Sequence, residues 1–135
     1  MKKQTVMVVE DEPDVAEVAK EVLEADGFEV LTAYDGLSAL DQIPKVKPDL
    51  VLLDVMLPTV DGFELCKTIK DNPETREILV VLFTAATEPF LMERIVGVGA
   101  NDYLTKPVNS DKLVQKVRSL LELAGERRRR RSRHG

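Results

Sequence analysis

The chain has 135 residues, the usual size of one domain, and its 44% apolar content can fill one core, which excludes a wholly disordered polymer. The net charge of −5 hides a division: six of the nineteen basic residues lie within 127–133, leaving residues 1–126 with 13 bases against 24 acids, a net of −11. An acidic body predicts no direct nucleic-acid binding by residues 1–126, leaving only the basic tail to touch an acidic partner, and no apolar run approaches the ~20 residues of a membrane span. Cys66 is the only cysteine and cannot form an internal disulfide, while the only histidine, His134, stands next to the last residue. That inventory excludes a buried Ser-His pair and a His/Cys zinc site. Val6 to Val9 meets Glu10 at once, too short for a secretory signal, so a cytoplasmic protein is expected.

Along the chain, strand-like and helix-like segments alternate. Thr5 to Val9 is a short β-branched run suited to a strand buried on both faces. Pro13 and Asp14 open a helix to about Asp26, with Val15, Val18, Ala19, Val22 and Leu23 at helical spacing and Gly27 ending it. Glu29 to Ala33 reads as the second strand, and Gly36 to Ile43 as a short helix stopped by Pro44. Asp49 to Asp54 is the third strand. Asp61-Gly62 turns into a helix with Phe63, Leu65, Cys66 and Ile69 inward. Leu79 to Thr84, Phe90 to Val98 and Asp102 to Thr105 follow as strand, helix and strand. Asn109 to Leu123 is the last helix, striped by Leu113, Val114, Val117, Leu120 and Leu121. Five strand-then-helix units predict an α/β fold, a parallel sheet with helices on both faces. Residues 1–124 form one domain in this reading, and 125–135 an arginine-rich disordered tail or the start of a linker.

In such sheets ligands bind beyond the carboxyl ends of the strands. There the first strand delivers Glu10, Asp11 and Glu12, the third Asp54, the fourth Thr84 and the fifth Lys106-Pro107. Crowded carboxylates repel, so either a proton stays on one of them or a cation neutralises them. With oxygen ligands only, that cation is Mg²⁺ (or Mn²⁺), whose open positions suit phosphate oxygens. Lys106 adds positive charge, Thr84 a hydroxyl donor, and an aspartate beside the metal is a candidate nucleophile. The rim is suited to receiving a phosphoryl group. Glu12 has an alternative reading as a solvated acid at a helix N-terminus, and Cys66 reads as core. Gly97 and Gly99 begin a G-x-G-x-x-G pattern, but Asp102 and a following strand break it.

The segments VMVVEDEPDV, VLLDVMLPTVDGFEL, LFTA and GANDYLTKP resemble the receiver domain of two-component response regulators of the chemotaxis-regulator type, over roughly residues 4–123. The resemblance implies a doubly wound, flavodoxin-like sheet of order 2-1-3-4-5 with five helices. It implies that Asp54 takes a phosphoryl group from a sensor histidine kinase or histidine phosphotransfer protein. Asp11, Asp54 and the Met56 backbone carbonyl would hold Mg²⁺, with Glu10 acting through water. Thr84 and Lys106 would contact the acyl phosphate, and the Lys106-Pro107 bond would be cis. Thr84 and Tyr103 would form the switch, changing the surface of helix four, strand five and helix five. Glu10 stands where the family more commonly has Asp. Met56 and Ala86, two residues beyond Asp54 and Thr84, are apolar and cannot orient a hydrolytic water, which predicts slow self-dephosphorylation rather than turnover catalysis. Pairing in a phosphorylation-dependent homodimer, through Asp102 with Lys116 or Arg118, is a further expectation by analogy. Output would run through a downstream protein target or through an effector domain missing from this chain.

The competing reading is a constitutive, non-phosphorylated interaction module, which loss of Asp54 or Lys106 would have favoured. A dehalogenase-type phosphatase would need an aspartate at position 56, where Met56 stands. A flavin binder would need a hydroxyl-rich loop after the first strand, where an acidic loop repels the phosphate.

Overall fold

The computed structural model describes residues 3–85, 87 and 89–134. The elements are β1 Thr5–Val9, α1 Pro13–Ala25, β2 Glu29–Ala33, α2 Gly36–Val46, β3 Leu50–Asp54, α3 Gly62–Asp71, β4 Leu79–Ala85, α4 Leu91–Val98, β5 Asp102–Lys106 and α5 Ser110–His134. The five strands are parallel and ordered β2-β1-β3-β4-β5. Alternation along each strand sends successive side chains to opposite faces. Met7, Val9, Val51, Leu53, Val80 and Leu82 pack with Ile43, Leu65, Ile69 and Ile95 of α2, α3 and α4. Val6, Val8, Leu50, Leu52, Val81 and Phe83 pack on the other face with Ala16, Leu23, Leu113, Val117 and Leu121 of α1 and α5. The central strands are buried on both faces, which is why they read as continuous apolar runs.

Four expectations need correction. The inner stripe of α1 is Ala16, Ala19 and Leu23, whereas Val15 and Val18 face solvent. Two alanines let the helix lie close to the sheet, and the larger valines flank that contact. Helix α2 runs past Pro44 to Val46, then ends at Lys47 in the left-handed conformation (φ 50°). A proline near the end of a helix loses one intrahelical bond without breaking the preceding turns. Asp49 lies outside β3, its side chain accepting the Thr5 amide at 2.8 Å. Finally, α5 does not stop at Leu123: the arginine run, expected to be irregular, is helical to His134. Arginine and glutamate are good helix formers, and arginine near the C-terminus complements the helix dipole.

Candidate functional site

Parallel pairing brings the ends of β1, β3, β4 and β5 to one edge, with Asp54 opposite Phe83 and Lys106 opposite Ala85. The chain leaves β1 directly into Glu10, whose amide donates to the Ala33 carbonyl at 3.0 Å. Glu10, Asp54 and Thr84 are all buried, 1–2% exposed, while Asp11 is half-buried. One carboxylate oxygen from each of Glu10, Asp11 and Asp54 lies within 4.8 Å of the others. From the far side of the sheet Lys106 reaches in, with Nζ 3.0 Å from Asp54 Oδ2 and 3.4 Å from Glu10 Oε2. The Lys106-Pro107 peptide is cis.

The electrostatics follow from crowding. Burial, and then the neighbouring Asp54 carboxylate, push the Glu10 carboxyl up to about 7, with Lys106 pulling the other way. Burial alone would depress the Lys106 ammonium, but its hydrogen bond and attraction to Asp54, with help from Glu10, leave it above its ordinary value. Two buried acids against one partly exposed ammonium leave negative charge in excess. An all-oxygen set of this spacing fits a hard divalent cation, with Glu10, Asp11 and Asp54 as the residues that could hold it.

Asp54 is fixed from below. Its Oδ1 accepts the Met56 amide at 3.0 Å, the Val55 amide donates to Phe83 at 3.0 Å, and the Gly62 amide donates to Val55 at 3.1 Å. Gly62 was legible only as part of a turn. In three dimensions a Cβ there would collide with the Asp54 carbonyl and the Val55 Cα, so the residue must be glycine for α3 to start beneath the acid. The neighbouring wall also escaped the sequence reading. The Arg94 guanidinium lies 3.8 Å over the Phe63 ring and 3.2 Å from Asp61, which caps α3 by accepting the Phe63 amide at 2.8 Å. With Asp11 and Met56, these residues line a groove of about 470 Å³ beside the acids. No local pattern announces a contact between residues 61 and 94.

The remaining expected residues fall as follows. The Thr84 hydroxyl donates to the Ala85 carbonyl at 3.3 Å, and Thr84 pairs in register with Thr105. Tyr103 is half-buried against the core layer that contains Leu82 and Ile95. The Met56 side chain is 70% exposed, and Ala86 lies outside the described residues. Asp102 pairs with Lys116 at 3.0 Å within the chain, and Arg118 holds Asp26 through two contacts of 2.6 and 2.9 Å. Cys66 is buried core: desolvation pushes its thiol up to about 11, opposite to activation. Among the described residues no helix is long and apolar enough to cross a membrane.

A doubly wound parallel sheet with an acid cluster and a lysine at its carboxyl edge defines an α/β protein with an acidic pocket that could hold a cation. The chain belongs to the response regulator receiver domain family, whose model matches residues 6–118. It is 44% identical over 117 residues to the response regulator PleD of Caulobacter vibrioides, a match covering 85% of this chain and 25% of that protein. It is also similar to a solved structure from Chloroflexus aurantiacus described as a response regulator (TM-score 0.85, 38% identity, 90% of this chain and 99% of that one). The chemotaxis response regulator CheY4 of Vibrio cholerae gives a TM-score of 0.82 at 28% identity, over 87% and 98% of the two chains. The chain spans between a quarter and about half of the length of the curated relatives it matches. It is thus a receiver domain of the two-component type, a class that works as a switch rather than as a turnover enzyme.

Proposed function

We propose that this receiver accepts a phosphoryl group on Asp54 from a partner's phosphohistidine, supplied by a sensor histidine kinase or a histidine phosphotransfer protein. The observation that carries the reading is the Lys106 ammonium 3.0 Å from a buried Asp54, inside a cluster where Glu10 and Asp11 supply further carboxylate oxygens. Asp54 attacks phosphorus, a P–O bond forms as the P–N bond breaks with its electron pair passing to the imidazole nitrogen, and that nitrogen takes a solvent proton to leave as neutral imidazole. Asp11, Asp54 and the Met56 carbonyl would hold Mg²⁺, with Glu10 orienting through water. The ion would neutralise the carboxylates and the charge on the phosphoryl oxygens. Lys106 balances charge on the opposite side, and Thr84 supplies a hydroxyl to a phosphoryl oxygen.

The acquired charge then biases a two-state surface. Thr84 turning toward the phosphate would free space for the half-buried Tyr103, altering the face of α4, β5 and α5 for a downstream protein. Exposed Met92 and Val96 on α4 and Leu123 on α5 give that face the apolar groups a partner would cover. Met56 cannot orient water by hydrogen bonding, which supports a long-lived acyl phosphate. Phosphorylation and output are proposed for a cytoplasmic setting.

The test is incubation with Mg²⁺ and a small acyl-phosphate donor, followed by intact-mass spectrometry. One phosphoryl mass increment, absent in Asp54→Ala and lost on chelating the metal, is the expected result. No increment under any metal would leave the constitutive interaction module standing instead.

A further inference from the structure

The end of α5 carries a charge arrangement that the phosphoryl site does not use. Arg127 to Arg131 are five consecutive exposed arginines on one helix, and Arg133 follows in sequence. At 100° per residue, five consecutive positions encircle a helix, so this cation density points in every direction around the axis. It spans only ~6 Å of axis, a higher density than the one phosphate per ~1.7 Å of duplex DNA. Among the described residues, Arg127 to Arg130 have no ion pair, and Arg131 has only a long contact of 3.9 Å with exposed Glu77. Arg127 and Arg131 are four apart and Arg128 and Arg131 three apart, like-charge spacings that destabilise a bare helix.

A ring of guanidinium groups cannot be satisfied by one flat acidic surface. It suits a ligand with anions on both sides of the helix. The major groove of B-form DNA is about 12 Å wide, admits a helix of about 10–12 Å diameter, and has phosphates along both walls. Guanidinium also matches phosphate in a bidentate fork. A lipid surface fits less well, because residues 126–135 contain no apolar side chain to insert below the headgroups. The body adds cations on the same side: Lys47 and Arg76 share a groove of about 520 Å³ with Arg127, Arg128 and Arg131. Of the acids in that groove, Asp49 accepts the Thr5 amide, Glu77 lies 3.9 Å from Arg131, and Glu74 makes no ion pair among the described residues, so the helix rather than the groove carries the attraction.

We propose that the arginine-bearing end of α5 binds the phosphate backbone of duplex DNA without reading base sequence, at the end of the sheet opposite Asp54. The acidic body, net −11, keeps that contact confined to the helix end. Fluorescence anisotropy with a short labelled duplex of arbitrary sequence tests this on the full chain. With about five phosphates neutralised, affinity should fall about 500-fold between roughly 50 and 200 mM salt, equally for unrelated sequences. Changing Arg127 to Arg131 together to glutamine should abolish binding while leaving phosphoryl uptake at Asp54 intact, which shows that the body is folded. Absence of binding at the lowest salt, unchanged binding by the glutamine variant, or tighter binding to anionic phosphatidylserine vesicles than to the duplex would each overturn the proposal.

Discussion

Glu10 is the residue in which the site's charge imbalance is most visible. Its carboxyl ionises near 4.5 in an unfolded chain and near 7 in the metal-free fold, so between those values the folded state holds the extra proton. Stability of the metal-free protein should therefore fall as pH rises from about 4.5 to about 7, then level off. Urea unfolding in the presence of a chelator measures this directly. Glu10→Gln removes the titration, so its profile should be flatter and its stability above pH 7 higher by on the order of 1 kcal/mol. A Glu10→Gln profile identical to the parent's would mean that the acid cluster is not the source of the slope. Glu10 and Asp54 were legible because acids directly after apolar strands are costly unless something compensates them. The compensating distance from Lys106 was not legible, since 52 positions separate it from Asp54 and only the sheet brings them together.

At the scale of elements, the loop between β3 and α3 decides how rigidly Asp54 is presented. The hydrogen bonds from Gly62 to Val55 and from Val55 to Phe83 fasten it at both ends, and the missing Cβ of Gly62 allows the close approach. Gly62→Ala must push α3 away from the Asp54 carbonyl. Thermal unfolding should show a loss of about 1–3 kcal/mol, the usual range for overpacking. Phosphoryl uptake by intact-mass measurement should slow in a variant that still shows a native circular dichroism spectrum. The same pair Asp61-Gly62 was readable as a helix start, because an aspartate before a glycine caps and turns. Its second duty, seating a helix against a strand end, depends on packing that a local pattern does not encode. The α2 and α5 boundaries depart from their local signals for a related reason. Pro44 and the arginine run are local signals for ending a helix, yet one lost hydrogen bond and mutual repulsion are small beside an established helical register.

For the whole molecule, binding at the strand edge should be linked to folding, since only the native sheet assembles the three carboxylates. Adding Mg²⁺ should raise the unfolding midpoint, by about 2.7 kcal/mol of stability at a hundredfold excess over its dissociation constant. Calorimetry of Asp11→Asn should show most of that gain lost, and an equal gain in the variant would place the ion elsewhere. The amino-acid sequence by itself determined the alternation of elements, the two-sided burial of the central strands, and the identity of the acids, hydroxyl and lysine at their ends. These are consequences of hydrophobic period and composition, which act within a few residues. Tertiary structure alone decided that Lys106 meets Asp54 and Glu10, that Arg94 closes a wall with Asp61 and Phe63, and that Gly62 is a seat for α3. Those contacts join residues distant in sequence, and their energies exist only once parallel strand pairing has fixed which ends lie side by side.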